Sequence, residues 1–289
     1  MINEFLQKTE EQLVKNCDKY FYRDSQVNKA ARYSLLNAGK RVRAMFIYLT
    51  AQMCGKDWQN YADFACAVEM IHCYSLIHDD LPCMDDDDLR RGKPSCHKAF
   101  PENIALLAGD ALQGCGVETA ANAEGFSVED RLKAVSLICA AMGPKGMIYG
   151  QELDLKYENE KANKEQLALI HRNKTGQLIS LCGKLGRIGS ELSEEQIKAI
   201  DLFFANVGLV FQIVDDILDV EGNQNELGKP IGSDSENGKS TFITLYGLEQ
   251  SKRQVEELTK QANDTLYRQF GDKAAMLIEY TNKLSHRTK

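Results

Sequence analysis

Apolar residues recur at helical spacing over most of this chain, three or four apart with polar residues between them. "CAVEMIHCYSLIHDD" (66–80) is one such stretch. "NIALLAGDALQGCGVETAANA" (103–123) is another, and its Ala and Gly permit close helix packing. "KEQLALIHRNKTGQLISLCGKLG" (164–186) and "SEEQIKAIDLFFANVGLVFQIVDDILDV" (193–220) are longer still. Prolines, which break helices, stand only at 82, 94, 101, 144 and 230. Sustained alternation of β-branched residues is scarce. The pattern predicts an all-α fold of about ten or more helices. No Pro/Gly/Ser-rich linker divides the chain, so residues 1–289 are expected to form a single domain. The most loop-like segment is "EGNQNELGKPIGSDSENGKS" (221–240), and a loop of this length in a compact domain is usually functional or disordered.

Composition narrows the classes. An apolar fraction of 43% and a charged fraction of 27% are those of a soluble globular protein. A chain of 289 residues buries a large core without needing disulfides. The nine cysteines are odd in number and include no Cys-x-x-Cys pair, which points to reduced thiols and a cytoplasmic setting. The N-terminus lacks the pattern of a signal peptide, and no run approaches 18 apolar residues, so no membrane span is expected. A net charge of −7 argues against nucleic-acid binding. It is compatible with a small anion, because bound cations invert the local charge.

Acidic residues gather in two places. In "QIVDDILD" (212–219), Asp215 and Asp219 are four apart, on one helix face and one turn apart, with Asp216 beside them. In "HDDLPCMDDDDLRRGKP" (78–94), Asp79 and Asp85 are six apart, about 600° of helical rotation, and would diverge on a straight helix. Pro82 lies between them, and a bend there would return Asp85 to Asp79. Asp79, Asp80 and Asp85 then form one metal-binding set and Asp215, Asp216 and Asp219 a second. Asp86, Asp87 and Asp88 are expected to be solvated or to cap a following segment. Carboxylates with room for water and phosphate suit Mg²⁺. A lone DDxxD is more often a solvated acidic helix end, but two such clusters, each after an apolar helix, suit a diphosphate head with a hydrocarbon tail.

The segments "NAGKRVRA" (37–44), "EMIHCYSLIHDDLPCMDDDDLRRGKP" (69–94), "LAGDAL" (107–112), "GQELDL" (150–155), "HRNKTG" (171–176), "FQIVDDILD" (211–219), "LGKPIGSD" (227–234) and "GKSTF" (238–242) resemble, in order, those of the trans-isoprenyl diphosphate synthases, most closely the bacterial farnesyl type. The resemblance implies helices around a central apolar cavity, about three Mg²⁺ ions (Mn²⁺ as a substitute), head-to-tail prenyl transfer and a homodimer. It assigns isopentenyl diphosphate to Lys40, Arg43, His72 and Arg91. It assigns the allylic diphosphate to Arg90, Lys174, Thr175, Gln212, Lys229 and Lys239. Asp79, Asp85, Lys174 and Asp215 carry the catalysis, while Gln151 and Asp154 match without a settled role. Without it, Lys40, Arg41 and Arg43 read as a solvated helix start and His72 as a core histidine. Gly176 in "KTG" marks either a local kink or a packing position.

Tyr74, five residues before Asp79 and about 7.5 Å along the helix, is placed to end the tail channel, with the small Ser75 beside it. The aromatic residue and the "LP" insertion resemble the C15-producing type, with C20 and C10 synthases as alternatives. A terpene cyclase would not keep "DDILD" or need "GKRVR". A non-catalytic subunit of a heteromeric synthase would lose motif aspartates, and a long-chain synthase would lack "LP".

Overall fold

The structure, a computed structural model, describes residues 2–37, 39–158, 160–221 and 240–285. Among the described residues the structure is all-α apart from one short hairpin. The chain forms two compact units. The first comprises residues 1–51 and 56–139, and the second residues 52–55 and 140–289.

The first unit opens with α1 (Ile2–Tyr20), α2 (Gln26–Leu35) and α3 (Val42–Met53), followed by a 3₁₀ turn at Trp58–Tyr61. Phe5 of α1, Tyr48 of α3 and Trp58 form an aromatic knot, with the Phe5 and Trp58 centroids 4.4 Å apart and edge-on. The next helix, α4 (Ala62–Asp79), is apolar nearly all round and is accordingly buried along most of its length. After the hairpin come α5 (Cys96–Ala99), α6 (Glu102–Ala121) and α7 (Val128–Met142). Where α6 packs on α4, a Cβ on Gly109 would lie 2.1 Å from the His78 ring and one on Gly116 3.0 Å from Ala67 O, so the close approach expected from its small residues is present.

The second unit contains α8 (Met147–Lys156), α9 (Lys164–His171), a π-turn at Arg172–Gly176, α10 (Gln177–Gly186) and α11 (Glu194–Glu221). It closes with α12 (Phe242–Tyr246), α13 (Leu248–Phe270) and α14 (Ala275–Ser285). A reciprocal cap fixes the start of α9: Gln166 N–H donates to the Asn163 side chain while Gln166 Oε1 accepts from Asn163 N–H. Phe203, Phe204, Val207, Val210, Ile213 and Val214 bury one side of α11 against α10 and α13. α11 is long and apolar enough to cross a membrane by length and composition alone, and 56% of its most apolar 18 residues are buried within the protein, as in a core helix.

Candidate active site

In the first unit, α4 delivers Asp79 at its C-terminal end and the chain then turns back. Leu81 N–H donates to His78 O at 3.2 Å and Met84 N–H to Leu81 O at 2.8 Å, around Pro82, which has no amide to offer. Asp85 N–H donates to Asp79 O at 2.9 Å. The two carboxylate-bearing residues, six apart in sequence, are therefore adjacent in space, as the proline break predicted. Asp86, with φ of 48°, completes the reversal.

Asp80 faces elsewhere. Its buried carboxylate accepts from Arg90 Nε at 2.9 and 3.2 Å and also from Arg90 Nη2. Arg90 Nη2 also donates to Asp87 Oδ2 at 3.0 Å. Burial raises the Asp80 carboxyl above its ordinary range, with Arg90 opposing the shift. The sequence grouped Asp80 with the metal set. The fold gives it a guanidinium as its partner.

Arg90 and Arg91 are consecutive but do different things. Leu89–Arg90 (β1) pairs antiparallel with Lys93–Pro94 (β2). The two linking residues, Arg91 at φ 54° and Gly92 at φ 74°, have the left-handed conformation of a primed hairpin turn. For a non-glycine residue this costs about 1–2 kcal/mol. Lys98 Nζ pairs with Asp88 at 2.8 Å and with Asp86 at 3.5 Å, and the Tyr33 hydroxyl donates to Pro94 O at 2.8 Å. Asp86, Asp87 and Asp88 thus brace the hairpin, a role the sequence left as solvation or capping. Arg91 Nη1 donates to Asn37 O at 3.2 Å. Its guanidinium lies over Gly39, where a Cβ would stand only 2.8 Å from Nη1, so the missing side chain is what admits Arg91 there.

Arg43 is half-buried in the first turn of α3. His72, on α4, is held well below its ordinary pKa by burial first and then by Arg43, Arg91, Arg90 and Arg41, so it is neutral at pH 7. Of these arginines, Arg41 and Arg90 also hold carboxylates, Glu10 and Glu69 in one case and Asp80 and Asp87 in the other. Arg91, Arg90 and Asp80 also line a pocket with Tyr33, Asn37 and Cys73. Tyr74 is buried, its ring edge-on to His78 with centroids 5.7 Å apart. Burial pushes its hydroxyl up to about 12, with the neighbouring Gln113 side chain opposing the shift. Ser75 Oγ donates to His72 O at 2.9 Å.

In the second unit, the expected kink at "KTG" is the π-turn Arg172–Gly176. Lys174 Nζ is 2.6 Å from Asp154 Oδ2 on α8, which gives Asp154 a concrete role as the holder of Lys174. Two helices press on this turn. A Cβ on Gly150 of α8 would lie 2.2 Å from Lys174 N, and one on Gly208 of α11 would lie 3.0 Å from Gly176 Cα. Gly176 is therefore both part of the kink and a packing position. Thr175 follows Lys174 on the turn, and Gln151 is half-buried on α8.

Gln212, Asp215, Asp216 and Asp219 ride on α11. Asp215 is exposed and Asp219 buried, although the two share a face. Asp216 Oδ2 accepts from Phe242 N–H at 2.7 Å, at the start of α12. Lys229 and Lys239 lie outside the described residues.

Among the described residues no group of three His, Cys, Asp or Glu side chains is placed to cage a metal alone. The donors on hand are hard carboxylate oxygens, and Asp79 and Asp85 are brought side by side. Such a set fits Mg²⁺, which keeps waters and takes one or two carboxylates together with substrate phosphate. Sequence reasoning missed Arg41, Glu69 and Glu10, which form an internal network. Glu69, a lone charge within the apolar stretch of α4, was the available signal.

An all-α fold with aspartates beside a crowded set of arginines defines a class of diphosphate-handling proteins of isoprenoid-synthase type. The chain belongs to the polyprenyl synthetase family, whose profile matches residues 24–276. It is 43% identical to a farnesyl diphosphate synthase of Bacillus subtilis over 238 residues, 82% of this chain and 80% of the relative. It is 42% identical to a chloroplastic geranylgeranyl pyrophosphate synthase of Arabidopsis thaliana, covering 90% of this chain and 74% of that one. Its fold matches the crystal structure of a geranyltransferase from Legionella pneumophila with a TM-score of 0.89 at 36% identity, covering 99% of this chain and 96% of that one.

Proposed function

We propose that this chain is a Mg²⁺-dependent prenyltransferase that joins isopentenyl diphosphate to dimethylallyl or geranyl diphosphate, giving (2E,6E)-farnesyl diphosphate and diphosphate. The observation that carries the reading is the turn that returns Asp85 to Asp79, with Arg90 of the following hairpin bonded back to Asp80 within it. Carboxylates and guanidinium groups gathered in one place suit a diphosphate with its Mg²⁺. Lys40, Arg43, His72 and Arg91 take the diphosphate of the isopentenyl substrate. Arg90 takes the allylic diphosphate, with Lys174, Thr175, Gln212, Lys229 and Lys239. Arg suits this work because its planar fork matches phosphate oxygens.

Asp79, Asp80 and Asp85, with Asp215, Asp216 and Asp219, are the proposed holders of about three Mg²⁺ ions, Asp80 being also bonded to Arg90 and Asp216 to Phe242 N–H. Bound Mg²⁺ supplies charge neutralisation for a leaving diphosphate. Arg90 and Lys174 add fixed positive charge as the allylic C–O bond breaks and its electron pair leaves with the diphosphate. The double bond of isopentenyl diphosphate then attacks the allylic carbon. The released diphosphate accepts the proton lost from the resulting cation. Tyr74 sets the chain length at C15. The protein acts as a single-domain cytoplasmic homodimer.

Incubation with Mg²⁺, isopentenyl diphosphate and either allylic substrate, followed by chromatography of dephosphorylated products, tests the reading. A C15 alcohol is expected. A C20 alcohol would favour the product named for the Arabidopsis relative, and no elongation at all would overturn the enzyme assignment.

A further inference from the structure

We infer that Arg41 is a positioning residue for the isopentenyl diphosphate cradle, holding the backbone from which Lys40 and Arg43 reach the anion. The inference rests on the proposed roles of those two residues. In "GKRVR" the three basic side chains look alike in sequence, and the fold separates them. Lys40 is exposed and Arg43 half-buried, but Arg41 is 4% exposed.

The Arg41 guanidinium engages two helices and the end of a third. Nε donates to Glu10 Oε1 at 2.7 Å and Nη2 to Glu10 Oε2 at 3.2 Å, a two-pronged grip on α1. Nη2 also donates to Leu35 O at 2.7 Å, at the end of α2. Nη1 donates to Glu69 Oε2 at 3.4 Å on α4. The other Glu69 oxygen accepts from Ala44 N–H at 3.1 Å. Ala44 is the third residue of α3, so Glu69 caps the first turn of α3 from a distant helix. Arg41 O in turn accepts from Met45 N–H at 3.0 Å.

The backbone agrees with the side chains. Arg41 has φ of 46°, the left-handed region that non-glycine residues avoid. Such a conformation persists where its surroundings over-determine it, and here the Glu10, Glu69 and Leu35 contacts do so. Buried charges are tolerated only when paired, so a neutral residue at 41 would leave Glu69 buried without its cation. The device fixes two things at once: the left-handed step after Lys40, and the turn of α3 that carries Arg43.

The test compares Arg41→Lys, which keeps the charge but loses the planar fork, with Glu10→Gln, whose carboxylate lies nearer the surface. Each is assayed for the KM of isopentenyl diphosphate, the KM of geranyl diphosphate and Tm. Leu266→Ala, a core change in the second unit, is the control for lost stability alone, and Lys40→Ala and Arg43→Ala report on the cradle itself. The expected result for R41K is a rise in the isopentenyl diphosphate KM of at least about tenfold, since misplacement by about 1 Å can cost on the order of a hundredfold. The geranyl diphosphate KM should stay within about twofold, and E10Q should shift the same constant in the same direction by less. If R41K does not fold, the E10Q result decides. An unchanged isopentenyl diphosphate KM, or parallel rises in both KM values, or a pattern matching L266A, would overturn the inference. If K40A and R43A also leave that KM unchanged, the cradle assignment fails instead.

Discussion

Replacing Gly150 with alanine sets intrinsic helix preference against packing. Gly150 lies inside α8, where alanine is favoured over glycine by about 1 kcal/mol. The structure reverses the expected sign. An added Cβ would lie 2.2 Å from Lys174 N, 2.6 Å from Lys174 Cα and 2.7 Å from Asn173 C. Optimal carbon contacts are about 3.5–4.0 Å, so the two backbones must separate by more than about 1 Å. Every obstructing atom is main chain, and no rotamer change relieves the clash. Overpacking of this kind costs about 1–3 kcal/mol, which offsets or exceeds the gain in propensity. The displaced atoms belong to the π-turn that carries Lys174, and a shift of about 1 Å at a positioned group can cost about a hundredfold in rate. Gly150→Ala is therefore expected to lose up to about 2 kcal/mol by urea unfolding. Its kcat/KM for geranyl and isopentenyl diphosphates should fall at least about tenfold. Gly114→Ala on α6 is the control, because a Cβ there meets nothing within 4 Å and should stabilise by up to about 1 kcal/mol. A Gly150→Ala enzyme as stable as G114A, with kcat/KM within about threefold of wild type, would refute the argument.

Asp79→Ala and Asp215→Ala should each cut turnover at least about a hundredfold while leaving the far-ultraviolet circular dichroism spectrum unchanged. Near-wild-type rates in either would remove it from the catalytic set. Asp216→Asn should retain more activity than Asp215→Asn, because an amide oxygen can still accept the Phe242 N–H bond; equal losses would show that this bond is not what Asp216 contributes. Tyr74→Ala should lengthen the product beyond C15 in whatever fraction folds, read by chromatography, and an unchanged product would clear Tyr74 of that role. His171 is buried against the Phe242 ring and held at about 4 by burial. Below about pH 6.5 the unfolded chain binds a proton that the folded chain refuses, so this contribution is complete above pH 6.5 and is lost as pH falls towards 4. The wild type should lose roughly 2–3 kcal/mol more than His171→Gln between pH 7 and pH 4.5, and equal losses in urea unfolding would sink the idea.

The helices that carry the chemistry were legible because their signals are local. The apolar run of α4 and the proline after it foretold both where Asp79 would stand and why Asp85 returns to it. The glycine in "KTG" likewise marked the π-turn. Partners arriving from elsewhere in the chain were not legible. Spacing says which carboxylates share a face. It does not say that Asp80 meets Arg90 or that Asp216 caps a helix starting 26 residues later. Arg41 reads like Lys40 until Glu10 and Glu69 are folded against it. The hairpin has strands of two residues, too short for any periodicity, and its trace in the sequence was the Arg–Gly pair at the turn.

That hairpin has a consequence for how this region can change. Arg90 on a strand and Arg91 in the turn face different partners because the link between β1 and β2 is two residues long. Adding or deleting one residue between Leu89 and Pro94 would slip the register and exchange what each arginine faces. Substitutions there alter one contact at a time, whereas a single-codon insertion or deletion would alter both errands together. Length, more than composition, is what this stretch must preserve through duplication, recombination or loop grafting.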